Sequence, residues 1–163
     1  MLIGLSGLPG VGKTSIAIAL ARATGATHLR IDSIEQALRN EGIKVSAEGY
    51  VVAYAVAEDN LRLGRLVIAD CVDPWPLTRR AWQGVAQRAG VRIMHVELVC
   101  SDREEHRRRV EARRPDIPGH QLPTWEDVLA LDYRPWEQDH LVIDTVRGCV
   151  EDSVRALRSA AGI

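Results

Sequence analysis

An α/β fold, with a parallel sheet covered by helices on both faces, is predicted by three observations. Apolar runs of strand length alternate with helix-length patterns from one end of the chain to the other. The first run passes through a glycine-rich turn directly into an apolar helix. No repeat, low-complexity tract or linker divides the 163 residues, which suit one domain large enough to bury a core. Strands alternating with helices need crossover connections, and these make the strands parallel and bury them on both sides.

The strands are expected at Leu2–Ser6, His28–Ile31, Arg65–Cys71, Arg92–Cys100 and Leu141–Ile143, about five in all. Helices are expected over 13–24, 33–40, 46–63, 75–89, 102–114, 124–132 and 147–160. Ser33 with Gln36, and Ser101 with Glu104, have capping-box spacing and mark two helix starts. The segment 46–63 is apolar on two sides, Val52 and Val56 on one and Tyr50, Tyr54 and Leu61 on the other. That pattern predicts a mostly buried helix packed beside a pocket. In Asp73–Trp82 (DPWPLTRRAW) the two prolines stiffen Trp75, which is expected to be presented rather than buried. Arg79 and Arg80 are read as surface residues or pocket contacts. Trp125 and Trp136 are read as packing for the segment after 114.

Composition narrows the function classes. The chain is 46% hydrophobic and 26% charged, with a formal net charge of -1, so it is a folded chain without a global field for nucleic acid or anionic membrane. Cys71, Cys100 and Cys149 are an odd set without CxxC spacing, each beside apolar residues, and are expected to be buried free thiols. The five histidines contain no pair at metal-ligand spacing, which argues against structural zinc. The opening MLIGLSG lacks a basic n-region, and no apolar run approaches a membrane span, so a cytoplasmic protein is expected.

The chemistry starts at Gly7–Thr14. These residues read GLPGVGKT, a full match to G-x-x-x-x-G-K-[ST] between an apolar strand and an apolar helix. Gly7, Gly10 and Gly12 let the loop backbone through Leu8, Pro9 and Val11 turn tightly, so that the N–H groups of the loop, Pro9 excepted, aim at phosphates. The following helix start, including Ser15, adds a favourable dipole for an anion. Lys13 is placed to reach β- and γ-phosphates, and the Thr14 hydroxyl to ligate Mg²⁺. The pattern therefore predicts ATP and Mg²⁺ as cofactors.

Two carboxylates extend the reading. Asp32 closes the second expected strand and Asp70 lies at the end of the third. Ligands of doubly wound sheets sit at the carboxyl ends of strands. Asp32 is the candidate general base for an acceptor hydroxyl, and Asp70 the candidate Mg²⁺ ligand through water. No NKxD-type guanine signature is present, and Asp70 is followed by cysteine rather than glutamate, against a water-activating ATPase. The helix 102–114 carries six arginines, including like-charge pairs at Arg103 and Arg107 and at Arg109 and Arg113. Such pairs repel unless an anion lies between them, so the helix and the PDIPGHQLP tip are read as a lid over 102–123. Arg109 and Arg113 are the chosen phosphate contacts, with Arg108 and Arg114 as rivals.

Together GLPGVGKT, Asp32, Asp70, the stretch EEHRRRVEARR and the late IDT (Ile143–Thr145) resemble the small P-loop kinases. That group includes the kinase domain of polynucleotide kinase and chloramphenicol phosphotransferase. The resemblance covers most of the chain. It implies a three-layer P-loop NTPase fold, Asp32 as base, Lys13 and Thr14 as phosphate and magnesium ligands, and lid arginines stabilising the transferring group. It also implies that the loop after Asp144 borders the adenine. Polynucleotide kinases of this group place an arginine three residues after the catalytic aspartate. Here that position is Glu35. The departure points to a neutral, hydroxyl-bearing small molecule as acceptor and disfavours nucleic acid. A 5′-hydroxyl polynucleotide kinase, a sugar-nucleotide kinase of toxin-like type and a non-catalytic nucleotide-binding regulator remain alternatives, as do monomer and homodimer.

Overall fold

The computed structural model describes residues 1–163. Its order is β1 (Leu2–Ser6), α1 (Lys13–Thr24), β2 (Thr27–Arg30), α2 (Ile31–Asn40), α3 (Glu48–Arg62) and β3 (Val67–Asp70). It continues with α4 (Pro76–Arg88), β4 (Ile93–Val99), α5 (Arg103–Ala112), α6 (Trp125–Ala130), β5 (Leu141–Asp144) and α7 (Val150–Ala161). The five strands form one parallel sheet in the order β2-β3-β1-β4-β5. The three-layer α/β fold expected from the sequence is therefore the observed one.

Strand periodicity sorts the core into two layers. Leu2, Val67 and Ala69 point to one face of the sheet, where α3 and α4 bring Ala53, Ala57, Leu61, Trp82 and Val85. Ile3, Leu5, Ile68, Val96 and Leu98 point to the other face, against Ile16 and Leu20 of α1 and Leu157 of α7. Every residue of β1 is buried, as a central strand covered on both faces demands. Gly4 of β1 pairs with Ala69 on one side and His95 on the other. The chain visits β2 and β3 on one side of β1 and β4 and β5 on the other. The crevice beyond the carboxyl end of β1 is thus the point where the strand order reverses.

Several local expectations are corrected. β2 ends at Arg30 and α2 begins at once, so Asp32 lies in the first turn of α2 rather than at a strand end. Ser33 is inside that helix and caps nothing, while Gln36 bonds Asn40 instead. Helix α5 is capped by Asp102, whose carboxylate accepts from the Glu104 and Glu105 amides, and Ser101 instead donates to Asp144. An ionised carboxylate oxygen, here Oδ1 alone, accepts both amides more strongly than a neutral hydroxyl would. In α3, Ala53, Ala57 and Leu61 face the core, while Val52 and Val56 are exposed because no layer lies over that side. Only Cys71 is a buried thiol. Cys100 is half-buried, and Cys149 is an exposed residue at the start of α7.

Arg79 departs furthest from expectation. It is fully buried. Its guanidinium donates to the carbonyls of Asp73, Pro74, Arg134 and Pro135, with Trp136 4.1 Å and Tyr133 5.2 Å from it. Trp136 therefore packs on Arg79 and stacks on His140 instead of serving the lid. Trp125 does pack there, edge-on to His106 of α5. Trp75 stands before Pro76 at the start of α4, half-exposed, with its indole N–H on Asp132.

Candidate active site

The loop between β1 and α1 is built around close backbone approaches. Gly7 has φ 141°, and a Cβ there would stand 2.3 Å from the Leu98 carbonyl oxygen. Gly10 has φ 87°, and its Cβ would meet the Val110 methyl at 2.5 Å. The first glycine admits the neighbouring strand β4 and the second admits α5. Leu8 packs with Val110 and Trp125. His106 Nε2 lies 2.8 Å from the Pro9 carbonyl oxygen, so α5 rests on the loop itself.

Lys13 opens α1 and is buried, its ammonium donating to the carbonyls of Gly7 at 2.8 Å and Leu8 at 2.9 Å. Burial is the main cause lowering its pKa. The carboxylates of Asp70 and Asp32 oppose that effect, and the Arg113 guanidinium adds to it. Two carboxylates and an arginine from three distant segments thus converge on one lysine.

They do so around an open cleft of about 920 Å³. Pro9 to Ser15, Asp32, Asp70, Arg109 and Arg113 all border it, together with the rivals Arg108 and Arg114. Gly7 and Leu8 lie behind it and hold Lys13 through their carbonyls. The cleft also takes in Thr145 and Gly148 to Glu151, so the connection after Asp144 forms one of its walls.

Mg²⁺ accepts one or two protein oxygens and completes its shell with water and phosphate. The Thr14 hydroxyl and the Asp70 carboxylate, both on this cleft, fit that habit. No group of three or more His, Cys, Asp or Glu side chains is gathered for an all-protein metal cage. Asp70 is buried, and Nε2 of His28 on the neighbouring strand lies 3.2 Å from its Oδ2.

The lid arginines divide. Arg109 donates to Glu105, to the Thr145 hydroxyl at 2.9 Å and to the Thr145 carbonyl, which ties it to the wall after β5. Arg108 pairs with Glu105 and Arg107 with Glu111, so part of α5 carries the pairs of an ordinary solvated helix. Arg113 lies just past the helix end, borders the cleft and is close enough to perturb Lys13.

Sequence reasoning missed three features here. Arg30 borders the cleft with its side chain only 9% exposed, forked onto both oxygens of Asp116 at 2.5 and 3.0 Å and 3.7 Å from Asp32. This pairing holds the Asp116 carboxyl below its usual range. Asp73, fully buried, adopts φ 52° and accepts from Ser6, while its backbone N–H donates to the Tyr50 hydroxyl. Burial pushes its carboxyl up to about 6. His28 is the third. One signal for Arg30 was available, a charged residue at the last position of β2, two residues before Asp32 in the first turn of α2.

Glu35 is placed against expectation. Its carboxylate pairs with Arg39 at 2.8 Å and its side chain lies against Gly49 of α3, not on the cleft. It faces α3 because α2 presents that side to its neighbour. Repulsion of a phosphorylated acceptor by Glu35 therefore has no basis in the geometry.

A family model described as an AAA domain matches residues 2–131. Among solved structures, Mycobacterium tuberculosis APS kinase in complex with AMPPNP and APS is 20% identical, with a TM-score of 0.74 over 99% of this chain and 97% of that one. A gluconokinase from Sinorhizobium meliloti is 20% identical, with a TM-score of 0.60 over 94% and 86%. The tunicamycin resistance protein of Deinococcus radiodurans is 22% identical, with a TM-score of 0.65 over 99% and 95%. At these identities the likeness establishes a shared fold, that of P-loop kinases. No curated protein matches the sequence.

Proposed function

The chain belongs to the AAA domain family, and we propose that it is an ATP-dependent phosphotransferase moving the γ-phosphoryl group to a hydroxyl of a small-molecule acceptor. The observation that carries the reading is that a carboxylate free of the phosphate loop, Asp32, faces the same cleft as Lys13. A site that only held nucleotide would need the loop and no such group. Solved relatives with this fold include an APS kinase and a gluconokinase, which supports transfer to small molecules.

In this reading the loop amides and Lys13 bind the triphosphate, and Lys13 exchanges its carbonyl partners for phosphate oxygens. Arg109, fixed at Thr145, flanks the nucleotide side, and Arg113 meets the charge that spreads over the transferring group. Mg²⁺ held by Thr14 and, through water, by Asp70 would neutralise charge on the phosphate oxygens. Asp32 orients the acceptor hydroxyl and takes its proton as the oxygen attacks phosphorus. The bond from phosphorus to the ADP oxygen breaks, and ADP leaves with the electron pair. Residues 1–163 act as one domain, with 102–123 as the arginine-bearing lid. Because His106 and Val110 seat α5 on the loop, movement is expected mainly in 113–123.

Calorimetric titration of Mg²⁺–ATP into wild type and Lys13→Ala, followed by an ATP-turnover screen over hydroxylated small molecules, tests the proposal. Binding in wild type, its marked weakening in the variant and turnover with at least one acceptor are expected. Equal affinity in both proteins would overturn the assignment of the loop.

A further inference from the structure

Arg30 is oddly placed for a structural residue. It sits at the junction of β2 and α2, its side chain is more than nine-tenths buried, and it carries its guanidinium into the cleft. Its partner Asp116 comes from the stretch after α5, which has no regular secondary structure, and is itself 56% exposed. The Arg30 Nε is buried and bonds nothing. A buried donor left unpaired is unfavourable, and a guanidinium that borders a cavity is suited to planar or tetrahedral oxyanions. The pair with Asp116 has the fork-on-fork geometry such an anion would adopt.

We infer that Asp116 stands in for an oxyanion on the acceptor, and that Arg30, once released from it, binds an acceptor carrying a carboxylate or phosphoryl group. This rests on the phosphotransferase reading and narrows it. Arg30 lies on the β2–α2 side of the cleft, beside Asp32, while the wall at Thr145 to Glu151 is on the side of β5 and α7. A hydroxyl held by Asp32 and an oxyanion held by Arg30 fit on one small molecule, because Arg30 Nη2 and Asp32 Oδ2 are 3.7 Å apart. The acceptor is thus a compact hydroxylated anion, its hydroxyl a few bonds from the charge. With Glu35 turned away from the cleft, nothing at that position opposes it. The exchange of Asp116 for the acceptor also links occupancy to the segment 113–123.

Anion binding tests this without knowledge of the true acceptor. Wild type, Asp116→Asn and the double variant Arg30→Gln/Asp116→Asn are each saturated with Mg²⁺ and AMPPNP, so that the phosphate loop is filled. Inorganic phosphate or acetate is then titrated at constant ionic strength. Asp116→Asn, a change on an exposed side chain, should bind one of the two at least tenfold more tightly than wild type. The double variant should lose that gain, and Arg30→Lys/Asp116→Asn, which keeps the charge without the fork, should lose most of it. Preference for phosphate or for acetate tells which oxyanion the acceptor bears. No tightening in Asp116→Asn, or a gain that survives both Arg30 variants, would overturn the inference. Failure to bind AMPPNP would instead strike the phosphotransferase reading. Nucleotide binding without Arg30-dependent anion binding would strike only the acceptor class.

Discussion

The two sides of the cleft are made of different material. The proposed nucleotide side is largely backbone: loop amides, the Gly7 and Leu8 carbonyls that hold Lys13, and glycines that let β4 and α5 come within contact. The proposed acceptor side is side chain: Asp32 in the first turn of α2 and Arg30 forked onto Asp116. A backbone site constrains the sequence tightly, since few residues tolerate its dihedral angles and contacts. A side-chain site can be assembled from many positions, and it can be changed without disturbing the fold. The comparison implies that the two sides should fail separately.

The largest effect expected from that separation is at Asp32. Asp32→Asn keeps the shape and removes the proton acceptor, so kcat should fall by about 10²–10⁴ while ATP affinity changes little. Single-turnover kinetics with an identified acceptor is the measurement. Loss of ATP binding in this variant would show that the two sides are one, and near-normal transfer would move the base to Asp70.

The arginines offer a sharper cut. Arg113→Ala should lower kcat by about 10²-fold, the usual loss for one donor to a developing charge. Arg109→Ala should mainly raise the KM for ATP, because its guanidinium is committed to Thr145 on the nucleotide wall. Steady-state kinetics of the two variants would reverse this assignment if the effects were exchanged.

The remaining effect leaves the chemistry alone and falls on stability. Burial raises the Asp73 carboxyl from its ordinary 3.8 to about 6, so the folded state holds this proton more tightly than the unfolded chain. Its contribution to stability is therefore full at low pH and is lost as pH rises through the interval from about 4 to about 6. At pH 7.5 the cost is about 3 kcal/mol, from two pKa units at about 1.4 kcal/mol each. Asp73→Asn removes the charge, suits the left-handed φ and can still accept from Ser6. Thermal melts should show it more stable than wild type at pH 7.5, with the gain shrinking toward pH 4.5. A gain independent of pH would mean that the ionised carboxylate is not what strains this corner.

What could be read in advance follows the same division. The loop GLPGVGKT and the parallel sheet were legible because strand burial and glycine geometry leave periodic, local marks. All five strands lie within two residues of where apolar runs placed them at either end. Asp32 was found, although its place in a helix was not, since nothing in HLRIDS separates a strand's last residue from a helix's first. Arg30 and Asp116 meet across 86 positions, and no local pattern reports a contact of that span. Arg79 was misread for a related reason. Its partners are four backbone carbonyls, and a carbonyl has no sequence signature. Glu35 was given a pocket role by its offset from Asp32, but a three-residue offset on α2 turns it toward α3.

Arg79 also sets an order of events. Two of its carbonyl acceptors, on Arg134 and Pro135, lie more than fifty residues later in the chain. While the protein is being synthesised, the β1–α1 loop can close as soon as β3 and β4 arrive. The corner at Asp73 and Pro74 must wait with a cation in its interior until residues 134–136 emerge and close over it. Those residues lie beyond the stretch 2–131 that the family model matches. A chain that stopped at residue 131 would contain the whole phosphate-binding turn and yet lack two of the four acceptors of the Arg79 guanidinium.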